Sequence, residues 1–574
     1  MCGIFAVIGK GVKIGDYKDC MKRLHARGPE GTKYLPIDGK GFLGFTRLAI
    51  NGLTDQGMQP MEREGSTWVV NGEIYNWRTL DATNSLNCTS GSDCEVIGAL
   101  YTDLYADESL TSIGGLFSSL DGVFATILVD TSKNRVIVAR DPYGVRPLFV
   151  GTSQERLFFG SELKSLDTVC DTVEAFPPGT VTVYDLVSRE VLFTEKYHKI
   201  STVALPIFSD VDVAATAVRV ALETAVKKRM MMERPVAVLL SGGLDSSLVA
   251  SLVASELKAD GRPPLKTFSI GMAGSSDLKH ARLVADWIGS DHTEVVTTPE
   301  EMFEAIPPVI FHIESYDTTT VRASVGNWLV SKAVAEKSDC KVVFNGDGSD
   351  EVWGSYLYFY GAPSAREYEA EVLRLLDEIH TFDVLRSDRS ISSNGLEPRT
   401  PFLDKAFVQT VLSVPLKYRM PRRENRVNGV KTQCEKWLLR HAFDDGKTLP
   451  KEVLWRRKEA FSDGVSGTEK SWFQNIQEMV VDRVPKNWQK MATKNFPDNA
   501  PLTAEMFYYR SCFEAIYGLS FSTVTVPKFW MPRWTTATDP SARTLAIYDV
   551  VEDSVLADSV TVGATVTAPL TTVS

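Results

Sequence analysis

The 574-residue sequence predicts two domains of different fold class, followed by a short tail. Residues 1–200 contain short runs of alternating apolar and polar residues separated by Gly and Asp, which predicts a sheet-rich α+β domain. Residues 210–535 alternate apolar strand-like runs with helix-like segments, which predicts an α/β domain with a parallel sheet. The segment 200–210 is interpreted as a linker, and 536–574 as a peripheral, partly disordered tail.

The composition is that of an ordinary globular protein, with 44% hydrophobic and 24% charged residues. The net charge of -11 argues against nucleic acid or an anionic membrane as the main partner. The sequence contains neither an apolar run long enough to span a membrane nor a signal-peptide pattern. The eight cysteines show neither zinc-ligand spacing nor a disulfide pattern, which predicts a reducing, cytoplasmic setting.

Four runs in the first domain alternate apolar and polar residues over the length of a strand. Because successive side chains of a strand point to opposite faces, such runs predict strands with one buried face. The runs are STWVVNGEIYNW (66–77), GVFATILVD (122–130), NRVIVARD (134–141) and GTVTVYDL (179–186).

The second domain begins with a helical pattern and continues with strands and helices in alternation. Residues 215–232 predict a helix, and apolar residues recur at helical spacing after the glycine-rich loop 241–247. Parallel strands joined by helices place ligand sites beyond the carboxyl ends of the strands. Strands are predicted at 234–240, 266–272, 292–298 and 341–345.

Cys2 stands directly behind the first methionine, in MCGIFAVIG. If the methionine is removed, one residue carries a thiol with a pKa near 8.5 and an α-amine with a pKa of about 7.7–8.0. An amine that titrates near the working pH can accept the thiol proton and activate the sulfur as a nucleophile. A lone cysteine is nevertheless a weak catalytic signal, and a small second residue also occurs by chance.

The loop SGGLDSS (241–247) lies between a predicted strand and a predicted helix. Backbone N–H groups and the helix dipole at such a position favour an anion, and the serines add hydroxyl donors. The loop lacks the GxxxxGK[ST] pattern, so a kinase or GTPase type of nucleotide site is disfavoured. Taken alone, the loop is equally well explained as a helix cap.

A second acidic glycine loop lies in KVVFNGDGSDEVWG (341–354), again after a predicted strand. Asp245 and Asp350 are therefore expected at the carboxyl ends of two strands of one sheet. Mg²⁺ prefers hard carboxylate oxygens, so the two side chains predict a magnesium site against a polyphosphate. Acidic loops are usually solvated turns, but two of them at one sheet edge favour a nucleotide site.

Six motifs occur in order along the first half: MCGIF, RGPE, TRLAI, NGEIYN, GSDCEVI and RDPYGVRPL. Together they resemble the class II glutamine amidotransferase domain, which implies an Ntn-type αββα sandwich. The resemblance implies that Cys2 attacks the carboxamide carbon of glutamine, and that the Asn71 side chain and the Gly72 N–H form an oxyanion hole. Arg47 would clamp the α-carboxylate. The other implied glutamine contacts are Leu48, Ala49, Ile50, Asn51, Glu73 and Asp93.

Six further motifs follow: LLSGGLDSS, IESYDTTTVRAS, NGDGSDE, EPRTPFLD, RRKEAFSDGV and MPRWTTATDPSART. They resemble glutamine-hydrolysing asparagine synthetase, of the eukaryotic type more than the bacterial type. The resemblance implies that the β-carboxylate of aspartate attacks ATP to give β-aspartyl-AMP and pyrophosphate. Ammonia released at Cys2 would cross an internal passage and displace AMP, giving asparagine. The family also suggests a homodimer.

The resemblance assigns roles in the second site residue by residue. Lys458 and Arg322 would stabilise the charge that develops on the phosphoryl oxygens, and Asp347 would assist adenylation and the attack of ammonia. The implied contacts of ATP are Leu239, Ser241, Gly242, Gly243, Asp245, Ser246, Ser247, Ile270, Asn345 and Gly346. The candidates for placing aspartate are Thr319, Thr320, Arg322 and Glu397, and those for Mg²⁺ are Asp245 and Asp350.

Two departures from the family pattern lie near these sites. The family usually has HRGPD, whereas this chain has HARGPE, with Ala26 between His25 and Arg27. Where the family has SGEGSDE, this chain has Asp347, one methylene shorter than glutamate, and Asn345 in place of serine. Because a misplacement near 1 Å can cost about 10²-fold in rate, this predicts either a compensating backbone shift or a slower synthetase step.

Other functions fit the sequence less well. Cys2 argues against β-lactam-forming relatives, which lose the nucleophile, and the adenylating loop argues against glucosamine-phosphate synthase. A purine-type amidotransferase would need a phosphoribosyl-pyrophosphate loop, which the sequence does not contain. A degenerate, non-catalytic relative predicts erosion over many motifs, whereas the substitutions here are few and chemically close.

Overall fold

The protein is described by a computed structural model that covers residues 1–203, 205–421, 434–456, 458–459, 461–467, 470–537, 539–541 and 545, with the backbone of 426–427 and 430–431. Most of the predicted tail lies outside the described residues, and its peripheral character stays a prediction. Among the described residues, no helix has both the length and the apolar character needed to cross a bilayer. All eight cysteines are free thiols.

The strands of the first domain span residues Gly3–Lys196 and are joined by short helices. The strands are β1 (Gly3–Ile8), β2 (Gly31–Pro36), β3 (Gly41–Arg47), β4 (Met61–Arg63), β5 (Ser66–Ile74), β6 (Gly122–Asp130), β7 (Arg135–Arg140), β8 (Phe149–Ser153), β9 (Arg156–Gly160), β10 (Thr172–Ala175), β11 (Thr180–Asp185) and β12 (Val191–Lys196). The α-helices are α1 (Lys18–Arg23), α2 (Trp77–Asn84), α3 (Glu95–Leu100) and α4 (Ile113–Ser119).

The described residues after Lys196 form helices, one parallel sheet and one short hairpin. Its strands are β13 (Val236–Leu239), β14 (Lys266–Met272), β15 (Asp291–Thr297), β16 (Val342–Phe344), β17 (Glu397–Arg399), β18 (Arg426–Val427) and β19 (Val430–Lys431). Its helices are α5 (Val211–Lys228), α6 (Leu244–Ala259), α7 (Ser276–Ile288), α8 (Pro299–Glu304), α9 (Ile306–Ile313), α10 (Thr318–Lys337), α11 (Ser349–Trp353), α12 (Ala365–Glu378), α13 (Asp383–Ser392), α14 (Lys405–Leu412), α15 (Leu416–Arg419), α16 (Trp437–Ala442), α17 (Lys451–Leu454), α18 (Phe461–Gly464), α19 (Trp472–Val480), α20 (Trp488–Asn495), α21 (Ala504–Tyr517) and α22 (Ser522–Thr525).

Two antiparallel sheets pack face to face in the first domain. Their strand orders are β10-β8-β9-β1-β3-β2 and β12-β11-β7-β6-β5-β4. Ile4 and Phe45 of the first sheet share one buried cluster with Ile127 and Val138 of the second. The outer face of the second sheet packs on α3 and α4 around Trp68, and the outer face of the first packs on α1. The αββα sandwich implied by the sequence is therefore confirmed.

The second domain is built on the parallel sheet β15-β14-β13-β16-β17. Helices α5, α6 and α7 pack on one face, and α10 and α13 pack on the other. The strand order reverses between β13 and β16, because β14 and β15 extend the sheet on one side and β17 extends it on the other. Open α/β sheets bind ligands at such a switch point, beyond the carboxyl ends of the strands.

The predicted strands of this sheet are found, but its last strand is not predicted by the sequence. The strand at 266–272 has the predicted bounds, and the other three agree within two residues at each end. β17 has only three residues, one of them Pro398, and so lacks an apolar strand pattern. Its first residue, Glu397, pairs in parallel with Val342, the first residue of β16. Glu397 therefore lies at the amino end of the sheet.

Buried ion pairs join the two domains. Arg27 Nη1 lies 2.7 Å from Glu162 Oε1 and 2.8 Å from Asp388 Oδ2, and Arg146 Nη1 lies 3.1 Å from Asp388 Oδ1. These side chains are at most 2% exposed. Burial alone would raise the pKa of Asp388, but the two guanidiniums outweigh it and hold that pKa below its usual value. Asp388 of α13 therefore binds two arginines of the first domain.

Asp388→Ala is expected to lower the free energy of unfolding by about 3–5 kcal/mol, because it leaves two buried guanidiniums without their shared carboxylate. The matched control is Asp19→Ala, which removes an exposed pair with Lys22 and should leave the stability nearly unchanged. Urea unfolding followed by circular dichroism measures both variants. Equal losses in the two variants would contradict the assigned role of Asp388.

Candidate active sites

The thiol of Cys2 lies beside the buried core between the two sheets of the first domain. Its Sγ is 3.5 Å from both the N and the O of Leu48, and Arg27 Nε donates to the Cys2 carbonyl at 3.0 Å. Burial raises the pKa of the thiol, opposed in part by the neighbouring α-amine. That amine, on Met1, donates to the Leu396 carbonyl at 3.2 Å, and burial lowers its pKa to about 6. A neutral thiol thus lies beside an amine that is largely unprotonated at pH 7.

Asn71 and Gly72 lie on β5. This strand packs against β1, which begins directly after Cys2. Asn71 is fully buried, and neither its Oδ1 nor its Nδ2 has a hydrogen-bond partner in the part of the chain that the structure describes. At Gly72 a Cβ would lie 2.2 Å from the Val123 carbonyl oxygen, so only glycine allows β6 to approach this closely. An unpaired buried amide costs free energy unless a ligand satisfies it. Asn71 is therefore suited to stabilise an oxyanion.

A cluster of buried carboxylates adjoins the thiol. Asn51 Nδ2 donates to Glu73 Oε2 at 2.7 Å, and Arg399 Nη2 lies 3.3 Å from Glu73 and 2.9 Å from Glu397. Burial raises the pKa of Asp93 to about 6, and burial together with Asp93 and Glu397 raises the pKa of Glu73 well above its usual value. Such a cluster favours binding of a cation, such as a substrate ammonium group.

Glu397 belongs to this first site, so its predicted role in placing aspartate is wrong. The residue starts β17, at the amino end of the parallel sheet, whereas such sheets bind ligands beyond the carboxyl ends of their strands. Burial alone would raise the pKa of Glu397. Arg399, Arg146 and the α-amine of Met1 together outweigh burial and lower that pKa. The second domain thus contributes the Glu397 carboxylate to the thiol site. Its position depends on the direction of β17, a strand that the sequence does not predict.

Arg47 ends β3 and shapes the loop beside the thiol. Its guanidinium donates to the Thr54 carbonyl at 3.0 Å and to the Gly52 carbonyl at 2.5 Å. In the same loop, Ala49 N donates to Glu30 Oε2 at 2.8 Å. Residues 47–51, which are predicted to bind glutamine, therefore form one hydrogen-bonded wall of the site. Within this wall, Leu48 contacts the thiol.

A cavity of about 250 Å³ lies at the switch point of the parallel sheet. Two of the predicted ATP contacts do not line it: Gly242 packs on α7, where a Cβ would lie 2.4 Å from Ala281 N, and Ser247 is buried inside α6. The predicted residues that do line the cavity are Leu239, Ser241, Gly243, Asp245, Ser246, Ile270, Thr319, Thr320, Asn345, Gly346, Asp347, Asp350 and Lys458. Most of the predicted second site is therefore brought together.

The two loops at the sheet edge touch each other. Ser241 N donates to Ser246 Oγ at 3.2 Å, and the two hydroxyls are 3.0 Å apart. A Cβ at Gly346 would lie 2.9 Å from both Asp245 Cβ and Ser246 N, so glycine permits the contact. Helix α6 begins at Leu244, and its first N–H groups have no partner within the helix. The edge therefore presents N–H and hydroxyl donors to an anion.

Two carboxylates and two ammonium groups converge at this edge. Lys436 Nζ lies 2.6 Å from Asp245 Oδ2 and 2.7 Å from Asp350 Oδ1, and Lys458 Nζ lies 2.5 Å from Asp350 Oδ2. Burial would raise the pKa of Asp350, but the two lysines outweigh it and hold that pKa far below its usual value. Sequence reasoning missed Lys436 because CEKWLL carries no motif, and only the fold brings it to the two aspartates.

Asp347, the residue that departs from the family, is held by α13. Arg386 Nη2 lies 3.0 Å from Asp347 Oδ1 and also pairs with Asp383. The other departure makes two bonds, since Asn345 Nδ2 donates to Ser387 Oγ at 2.7 Å and its Oδ1 accepts from Asp347 N at 3.3 Å. Asn345 therefore ties the Asp347 loop to the helix that carries Arg386.

The threonines and the arginine of the predicted aspartate site have different positions. The Thr319 hydroxyl has no hydrogen-bond partner among the described residues, whereas Thr320 Oγ1 donates to Asp317 at 2.8 Å and helps to cap α10. Arg322 is paired with Glu505 at 2.6 Å and with Asp539 at 2.9 Å, and it is 5% exposed. Arg322 does not line the cavity and holds Asp539 of the DPSART motif, so its predicted roles with the phosphates and aspartate stay predictions.

Comparison with known proteins supports both halves of this arrangement. A family model described as a glutamine amidotransferase domain matches residues 1–212, and one described as asparagine synthase matches 217–374 and 363–537. The chain is 43% identical over 577 residues to the glutamine-hydrolysing asparagine synthetase of Gallus gallus, covering 96% of this chain and 99% of that one. The chain belongs to the glutamine-hydrolysing asparagine synthetases. The Homo sapiens member is 41% identical over 577 residues with the same coverage.

Among solved structures, the chain is similar to a glutamine phosphoribosylpyrophosphate amidotransferase from B. subtilis complexed with ADP and GMP. The sequence identity is 20% and the TM-score is 0.31. The match covers 46% of this chain and 65% of that chain. The family membership confirms the resemblance on which the sequence analysis depends.

Asn71→Ala is expected to lower kcat for glutamine hydrolysis by about 10²–10³, because it removes a donor aimed at a developing oxyanion. The matched control is Gln59→Ala, since Gln59 is also a buried amide but exchanges two hydrogen bonds with the Val70 backbone. The control should lower stability by about 1–3 kcal/mol and leave kcat far less affected. Glutamate release and thermal melting separate the two results, and a reversed pattern would exclude Asn71 as the donor.

Proposed function

We propose that this chain synthesises asparagine from aspartate, with ATP as the energy source and glutamine as the nitrogen donor. It is then an ATP-dependent carbon–nitrogen ligase. One observation carries the proposal: one domain of the chain contains a partly buried thiol beside an amide with no partner among the described residues, and the other contains a sheet-edge cavity with paired aspartates and lysines. The proposal includes a cytoplasmic location, which the free thiols support, and a homodimer, which the family resemblance suggests.

In the first site, Cys2 attacks the carboxamide carbon of glutamine after removal of Met1. The new α-amine of Cys2, when neutral, accepts the thiol proton. Asn71 Nδ2 and the Gly72 N–H stabilise the oxyanion, and ammonia leaves as the acyl-enzyme forms.

The walls of the first site orient the glutamine. Arg47 binds the α-carboxylate, while Glu73 and Asp93 bind the α-ammonium group. Asp93, with a pKa of about 6, is ionised at pH 7, and an ammonium beside Glu73 favours its charged form. Recognition at both ends of the amino acid fixes the carboxamide at the thiol.

In the second site, the cavity accommodates ATP with its phosphates at residues 241–247 and its adenosine beside Leu239 and Ile270. Mg²⁺ fits this edge, because Asp245 and Asp350 reach one shared cation, the Lys436 ammonium. Mg²⁺ in such sites uses one or two carboxylates together with phosphate oxygens and water. When bound, the ion neutralises charge on the polyphosphate.

The β-carboxylate of aspartate attacks the α-phosphorus of ATP, and pyrophosphate leaves. Lys458, at the cavity edge, stabilises the charge on the phosphoryl oxygens. The Thr319 hydroxyl, which has no hydrogen-bond partner among the described residues, donates to aspartate. Asp347, oriented by Arg386, assists the attack of ammonia on β-aspartyl-AMP, with AMP as leaving group.

Ammonia has to reach this intermediate without escaping to solvent. We place its route between the domains, along α13 and β17, which contact both sites.

Cys2→Ala is expected to abolish asparagine formation from glutamine and to leave formation from free ammonia intact, because only the first site needs the thiol. Glutamate, pyrophosphate and asparagine are measured together with each nitrogen source. The matched control, Cys20→Ala, removes a buried thiol of the first domain that lies outside the site and should retain both activities. If both nitrogen sources fail in Cys2→Ala while the fold is intact, the division into two sites is wrong.

Asp347→Asn is expected to lower ammonia-dependent asparagine formation by about 10²-fold and to leave glutamine hydrolysis intact, because it removes charge from the second site alone. The control is Asp377→Asn, a carboxylate paired with Lys196 on the surface. Asp347→Glu together with Asn345→Ser restores the family pattern. If Asp347→Asn retains full synthesis, the carboxylate has no part in that step.

A further inference from the structure

Lys436 occupies the position between the two aspartates of the nucleotide site. Its ammonium bridges Asp245 and Asp350, and its side chain is 2% exposed. The backbone has a φ of 55° at this residue, immediately before α16. A left-handed conformation is unfavourable for a residue other than glycine, so the surroundings must impose it. The lysine is therefore held in place from both its backbone and its charged end.

The bonds around Lys436 leave the four groups electrically balanced. Asp245 Oδ1 accepts from Ser349 Oγ at 2.8 Å, and Asp350 Oδ1 accepts from Ser355 Oγ at 2.5 Å. Among the described residues, Lys458 forms an ion pair with Asp350 and not with Asp245, so Lys436 is the cation that the two carboxylates share. Two carboxylates and two ammonium groups sum to zero charge.

We propose that Lys436 is the resident counter-ion of this site, and that a divalent cation replaces it between Asp245 and Asp350 only when a nucleotide's phosphates are present to receive its ammonium. The proposal deepens the function proposed above and depends on that nucleotide site. It makes metal binding and nucleotide binding one coupled event. Lys436 acts here as a positioning residue, because it keeps the carboxylates converging before any ligand arrives.

The physical argument follows from charge. A divalent cation that enters while the ammonium remains meets a like charge at contact distance, which is strongly unfavourable in a buried site. An ammonium that leaves the aspartates without a new anion becomes an unpaired buried charge, which is also costly. A polyphosphate beside residues 241–247 supplies the missing anion and removes both penalties. A metal ion that arrives without a nucleotide therefore meets a penalty whether the Lys436 ammonium stays or leaves.

The test measures Mn²⁺ binding by electron paramagnetic resonance, with and without α,β-methylene-ATP, which cannot be cleaved between its first two phosphates. The full-length wild type should bind Mn²⁺ at this site only with the nucleotide. Lys436→Met should bind Mn²⁺ without nucleotide at least about tenfold more tightly than the wild type, and should bind the nucleotide at least about tenfold more weakly. A residue with a merely structural role would weaken both ligands.

The matched control is Lys332→Met, a lysine half exposed on α10 and paired with Glu336, which should behave as wild type. Circular dichroism and glutamine hydrolysis at the first site verify the fold, and Lys436→Gln gives the same test if Lys436→Met melts early. Equal Mn²⁺ affinity of wild type and variant without nucleotide overturns the proposal. If the wild type binds neither Mn²⁺ nor the nucleotide when both are supplied, the proposed nucleotide site itself fails.

Discussion

Helix α13 carries buried charges to both sites, and their pairing is the constraint on which the rest of the structure depends. At its start, Asp383 accepts from Gly348 N at 2.9 Å, and Arg386 pairs with Asp347 at the edge of the nucleotide cavity. Two residues further on, Asp388 pairs with Arg27, whose Nε holds the carbonyl of Cys2. Because an unpaired buried charge is costly, neither end of the helix can shift alone. One rigid element therefore sets the geometry of the thiol and of the cavity.

The sequence predicts well what is encoded in consecutive residues and poorly what depends on distant ones. Cys2, Asn71 and Asp245 lie in contiguous motifs that carry the family resemblance, and the strand at 266–272 is predicted at its observed bounds. Glu397 is misassigned because its position depends on β17, which has no apolar alternation. The partners of Arg322, Glu505 and Asp539, are not predicted because they lie about 200 residues along the chain. The sequence contains no local trace of either pairing.

The departures at Asn345 and Asp347 are physically connected. A shorter carboxylate has less reach, so its backbone and its counter-charge must be placed more strictly. Asn345 binds both the Asp347 N–H and Ser387, which follows Arg386 on α13. A serine hydroxyl in that position has one donor hydrogen and a shorter side chain, so it would not make both contacts as readily. The two substitutions therefore form one local arrangement, and they alter how the carboxylate is held more than which group is present.

The two sites treat buried charge in opposite ways, and this fits what each has to bind. Around the thiol, Glu73 and Asp93 have raised pKa values because burial and repulsion from neighbouring carboxylates are incompletely offset. That excess of carboxylate is relieved by a ligand that brings its own cation, as an amino acid does. At the nucleotide edge, Asp245 and Asp350 are fully offset by Lys436 and Lys458. A ligand can enter there without an electrostatic penalty only if it brings anions for the lysines, which is the property of a polyphosphate.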